Sequence, residues 1–112
     1  MSGVPFRVDG KGRVLASWMS RNKVYWSLSE EGGRRFGPPV RAPEGSDQGS
    51  PIALMNRNGE VLLVWKQGER VHWAFYTQDG KPAGSRGDAG RLPGTNKATA
   101  FVGPDGVFYI VF

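Results

Sequence analysis

Eight polar residues stand where a fold could gather side chains for recognition: Arg21, Lys23, Glu69 and Arg70 just ahead of two similar aromatic runs, and Asp47, Gln48, Asn96 and Lys97 in segments between apolar runs. Together they offer cations, carboxylates and amides, a mixture suited to a polar ligand. A solvated loop surface accounts for the same residues without any ligand. Trp18 and Trp65 lie beside these positions, and an indole there could stack on a sugar ring or pack inside the protein, where aromatics dominate buried area. Trp26 and Trp73 are read as packing residues.

Other chemistries find less support. His72 is the only histidine and has no companion ligands at metal-binding spacing, so it reads as a strand residue and no metal or other cofactor is implied. Glu30-Glu31 is the one adjacent carboxylate pair, and its setting in a Gly-rich turn points to a structural role over paired acid and base work. The Gly84 to Gly90 stretch lacks the Lys-Ser/Thr ending of a phosphate loop. With no cysteine, thiolate ligands, disulfides and thiol catalysis are excluded.

The elements that must position these residues repeat. Gly12, Gly59 and Gly106 are spaced by 47 residues, as are Trp18, Trp65 and Phe112. Lys11-Gly12-Arg13-Val14-Leu15 is answered by Asn58-Gly59-Glu60-Val61-Leu62, and Val24-Tyr25-Trp26-Ser27 by Val71-His72-Trp73-Ala74 at the same offset. Such a period belongs to repeat folds.

Each unit predicts four short strands. The first lies at Val4 to Val8, Ile52 to Met55 and Thr99 to Val102, and the second at Val14 to Trp18, Val61 to Trp65 and Val107 to Phe112. Apolar, β-branched and aromatic runs of this length bounded by glycine are strands, and the second set reads as buried on both faces. Asn58-Gly59 and Asp105-Gly106 predict tight antiparallel hairpins, since both central residues tolerate positive φ. A third strand follows at Val24 to Ser29 and Val71 to Tyr76, and a weaker fourth near Pro39 to Ala42 and Gly90 to Leu92. The expectation is all-β: four-stranded antiparallel meanders forming the blades of an incomplete β-propeller ring, in one segment over 1–112 with units at about 4–50, 51–97 and, in part, 98–112.

Ser29-Glu30-Glu31-Gly32-Gly33-Arg34-Arg35-Phe36, followed by Gly37-Pro38-Pro39-Val40, resembles the Asp-box of sialidases and BNR-repeat propellers, Ser-x-Asp-x-Gly-x-Thr-Phe/Trp. Thr77-Gln78-Asp79-Gly80-Lys81 is a weaker counterpart in the second unit. Glu31 stands where the family has Asp, and Arg35 where it has a hydroxyl residue. The resemblance implies a structural turn between third and fourth strands, built on Ser29, Glu31, Gly33 and Phe36 and again on Asp79 and Gly80, its carboxylate and hydroxyl satisfying loop amides. For a sialidase it further implies an arginine triad, a tyrosine nucleophile paired with a glutamate, and an aspartate acid, drawn from blades all around the ring. Arg21, Arg70, Tyr25, Tyr76, Glu69 and Asp47 supply residue types, yet no spacing groups them into that set, so no catalytic residue is assigned.

Two functions follow as expectations. One is a non-catalytic segment, glycan-binding or scaffolding, completed by identical copies or by the rest of a parent chain. The other is the C-terminal part of a sialidase-like glycoside hydrolase whose catalytic residues lie mostly outside these 112 positions. The formal charge of +5 gathers at Arg34, Arg35, Arg41, Lys81, Arg86 and Arg91 around the fourth strands, where charge discourages edge pairing. Nucleic acid is therefore not the expected partner, since the aromatics needed for stacking sit in predicted buried strands. No apolar run approaches the ~20 residues of a membrane span. Met1-Ser2-Gly3 shows no signal-peptide pattern, so a secretion signal is expected to be missing or removed, while the resemblance itself implies an extracytoplasmic site.

Overall fold

The computed structural model describes residues 12–112 and, of the first eleven residues, only the backbone of two short strands. Those are β1 (Ser2–Gly3) and β2 (Phe6–Arg7), both antiparallel to β3 (Val14–Ser20). The strand expected at Val4 to Val8 is met in part by β2, with Val4, Pro5 and Val8 outside the described residues. Then follow β4 (Lys23–Ser29), β5 (Val40–Arg41), β6 (Gln48–Met55), β7 (Val61–Gln67), β8 (Arg70–Tyr76), β9 (Pro82–Arg91), β10 (Thr99–Val102) and β11 (Phe108–Val111). Among the described residues there is no helix, and every strand pairing is antiparallel.

Three sheets result. The first runs β1-β3-β4-β5 with β2 also on β3, the second β6-β7-β8-β9, and the third is the β10-β11 hairpin. From β3 to β5, from β6 to β9 and from β10 to β11 chain neighbours are sheet neighbours, as a meander requires. Among the described residues these sheets do not close into a barrel or ring.

The sheets stack face to face. One face of the second sheet, carrying Met55, Val61, Leu63, Trp65 and Tyr76, forms a core with Leu15, Val24 and Trp26 of the first. Its other face, with Leu62, Val64 and Val71, packs on Ala100, Phe108 and Ile110 of the hairpin. Residues alternate between faces along a strand, so a strand covered on both sides must be apolar at every position. That is β7, where Val61 to Trp65 are all apolar and buried. Trp26 meets Tyr76 edge-on across the first boundary, with ring centroids 5.4 Å apart.

Two local expectations are corrected. In the Asn58-Gly59 and Asp105-Gly106 turns only the glycine has positive φ, 81° and 82°. The amide of Gly59 donates to the Asn56 carbonyl at 3.0 Å and that of Asn56 to the Glu60 carbonyl at 3.1 Å, the arrangement of a longer loop built on an ordinary turn with glycine closing it. The turn with two positive-φ central residues is instead Arg21-Asn22, at 53° and 62°, between the paired Ser20 and Lys23. The fourth strand of the second sheet is also much longer than Gly90 to Leu92, beginning at Pro82. Its composition hides it, because glycine is needed where β9 crosses an aromatic ring: a Cβ on Gly87 would lie 2.9 Å from the Trp73 ring.

Candidate functional site

The loops at one end of the strands converge. The β3-β4 turn (Arg21-Asn22) and the β7-β8 turn (Gly68-Glu69) both reach the linker between the first two sheets: the Gln48 amide donates to the Asn22 carbonyl at 3.0 Å, and the Gly68 amide to the Asp47 carbonyl at 3.1 Å. Gln48 is 2 % exposed and locks the join. Its side-chain oxygen accepts from the Val24 amide at 3.0 Å, while its nitrogen donates to the Pro43 carbonyl at 2.9 Å and to Gln67 Oε1 at 3.2 Å. Gln67 Oε1 also accepts from the Trp65 indole at 3.3 Å.

Beside this join lies a cleft of about 320 Å³ walled by the same point of successive repeats, Asp47 to Ser50 where the first linker runs into β6, and Gly94 to Lys97 in the second linker. Met19, Asn22, Lys66 and Gly68 complete the lining. Lys66 is 9 % exposed, and its ammonium donates to the carbonyls of Gly94 and Asn96 at 2.8 and 2.9 Å. Of the eight candidates, the structure brings Asp47, Gln48, Asn96 and Lys97 together around this cleft.

The other four are outside its lining, and three of them have local partners. Lys23 donates to the Gly45 carbonyl. Arg70 is paired with Asp88, and Arg91 with Glu69 at 3.0 Å. The Arg91 hydrogen bond, helped by the Gly94 amide, holds the Glu69 carboxyl below its ordinary value, and Arg70 does the same for Asp88. Bonding to Asp88 correspondingly raises the Arg70 guanidinium. Arg21 occupies the exposed hairpin turn.

Sequence reasoning passed over Lys66, although a signal was present. It ends the otherwise apolar run Val61 to Trp65, at the repeat position held by Met19 in the first unit. A lysine where the repeat calls for an apolar side chain needs a reason to be there.

The tryptophans divide. Trp65 is 3 % exposed and stacks on His72 at 5.7 Å. Trp18 stacks on Tyr25 at 5.8 Å in the same register, but on the half-buried face of the first sheet that points away from the second. His72 thus serves as a packing partner, and no group of metal-ligating side chains occurs among the described residues.

The box-like turn closes the opposite end of the first sheet. Ser29, fully buried, accepts from the amides of Glu31 and Gly33 at 3.2 and 3.0 Å, and the Gly32 amide donates to the Gly12 carbonyl at 2.7 Å. Glu31 lies 3.9 Å from exposed Arg35, and Phe36 is at the surface. In the second unit Thr77 Oγ1 accepts from the Lys81 amide at 3.2 Å, with Asp79 and Gly80 in the turn.

A larger groove, about 720 Å³, follows the seam between β5 and the β8-β9 pair and is lined by Pro38, Pro39, Val40, Pro43, Tyr76 and Pro82 among others. The Tyr76 hydroxyl donates to the Arg41 carbonyl at 3.3 Å, and burial pushes its pKa up to about 12. A phenol held protonated in this way is poorly placed to act as a nucleophile.

No protein-family model, curated protein or solved structure matches the chain. No helix among the described residues is long and apolar enough to cross a membrane.

Proposed function

We propose that the chain is a non-catalytic, sialidase-like β-propeller segment, glycan-binding or scaffolding, in which the two sheets and the hairpin are successive blades. Further blades come from a second copy or from the rest of a parent chain. One observation carries the reading. The outer face of the hairpin exposes Phe101, Tyr109 and Val111, at 49 %, 43 % and 50 %. Their counterparts one repeat earlier, Leu54, Leu62 and Val64, are buried. An apolar strand face of this kind is an interface that lacks its partner. Support for the glycan-binding half comes from the gathering of Asp47, Gln48, Asn96 and Lys97 at one cleft.

The test is the solution mass, by light scattering after size exclusion over a range of concentrations. A discrete dimer or trimer that Val111→Lys returns to monomer is the expected result. A monomer at every concentration, with no change on substitution, would sink the claim that this face must be covered.

A further inference from the structure

The cleft between the two linkers has three features that a solvated loop surface does not require. The first is the buried ammonium of Lys66, since a charge is costly to bury and the repeat places a methionine, Met19, at the same position. Two of its three N–H groups go to the Gly94 and Asn96 carbonyls, leaving one without a hydrogen-bond partner among the described residues. Glu69, which also feels this charge, has its own oxygens engaged by Arg91 and the Gly94 amide.

The second feature is backbone conformation. Among the described residues, positive φ outside glycine occurs only at Arg21, Asn22, Asp47 and Ser50, and the last three line this cleft. The Arg21-Asn22 hairpin turn accounts for the first two. Ser50 (49°) lies in the bulge of β6 between Gly49 and Ile52, whereas Asp47 (56°) belongs to no such turn, and the next linker has Gly94 (69°) at the position equivalent to Asp47. A side chain kept where glycine would be comfortable marks strain of the kind that gathers at binding sites.

The third is chemical. Asp47, Ser50, Thr95 and Lys97 bring carboxylate, hydroxyl and ammonium groups to the opening, and none of their side chains is hydrogen-bonded within the described residues. Two lysines against one aspartate leave a positive surplus.

We propose that this cleft binds one saccharide unit bearing a carboxylate or sulfate. Lys66 and Lys97 receive the anion, and Asp47, Ser50 and Thr95 bond the hydroxyls. A volume of about 320 Å³ sits at the small end of ligand sites, which matches a single ring. The inference rests on the glycan-binding reading above and names the class of glycan.

The experiment titrates the full chain with glucuronate, glucose 6-sulfate, glucose and inorganic sulfate, followed by amide chemical shifts. At least one acidic sugar is expected to bind about tenfold tighter than both glucose and inorganic sulfate, as a charge-assisted contact implies, with shifts centred on 47–50 and 94–97. Comparing the two acidic sugars separates carboxylate from sulfate. Lys66→Met is expected to abolish the preference for the acidic sugar. If that variant does not fold, Lys97→Gln, at an exposed position, is expected to weaken binding of the acidic sugar several-fold. Equal affinity for glucose, equal affinity for inorganic sulfate, or shifts confined to another surface would each overturn the proposal and leave the broader glycan reading standing. No saccharide binding at all would remove both.

Discussion

The second sheet and the hairpin β10-β11 carry the same repeat, yet one is covered on both faces and the other on one. Leu62 and Val64 are 2 % and 1 % exposed, while Tyr109 and Val111, at the same positions one repeat later, are 43 % and 50 % exposed. Similar residues at equivalent strand positions thus have opposite environments, because burial belongs to what packs on a strand and not to the strand's own composition. The contrast lies between an apolar face that another sheet covers and one that stays open to solvent.

The sharpest way to break this comparison is a matched pair of substitutions read by urea unfolding. Leu62→Ala should cost about 3 kcal/mol, the loss expected when a buried leucine leaves a cavity between sheet and hairpin. Tyr109→Ser at low protein concentration should cost less than about 1 kcal/mol, as its ring already lies half in water beside Phe101. A Tyr109 effect that grows with protein concentration would show the face being covered by another copy; equal costs in the dilute protein would refute the contrast.

Alkaline pH offers the next largest effect, from Tyr76 on the opposite face of the second sheet. An unfolded tyrosine ionises near 10, whereas burial raises the native group to about 12. Above pH 10 the unfolded chain therefore releases a proton that the native protein keeps, and stability falls as pH rises, by about 2 to 3 kcal/mol at pH 12. Tyr76→Phe should remove this component of the pH dependence. An unchanged profile would mean that Tyr76 is not buried against the first sheet as described.

The smallest expected effect compares the two linkers. Asp47 adopts a backbone conformation that its equivalent, Gly94, reaches freely. Asp47→Gly should raise the unfolding free energy by about 0.5 to 1 kcal/mol, part of the left-handed penalty being offset by the greater freedom of the unfolded chain. A loss of stability would show that the carboxylate itself holds the linker in place.

Much of the strand order was legible. Val61 to Trp65 is continuously apolar because both faces are covered, and Gly12, Gly59 and Gly106 recur because each closes its turn with φ between 81° and 83°. What escaped the reading depended on contacts between distant residues. The glycines of β9 look like a loop until Gly87 is seen beneath the Trp73 ring. Lys66 looks like the end of a strand until the carbonyls of Gly94 and Asn96, some thirty positions later, fold over its ammonium. Four of the eight polar candidates, Asp47, Gln48, Asn96 and Lys97, meet at one cleft because the repeat places equivalent linkers side by side. Lys23, Glu69 and Arg70 do not, being held by Gly45, Arg91 and Asp88, which become their neighbours only on folding.

Periodicity and glycine conformational freedom act over a few residues at a time, so the repeat, the strands other than most of β9 and the positions of their turns are written in the sequence. Only the tertiary structure decided which face of each strand is covered, which polar groups serve the fold, and which remain free around the cleft. Sheet stacking brings equivalent linkers together, and hydrogen bonds such as those from Lys66 to the carbonyls of Gly94 and Asn96 have no counterpart in local sequence.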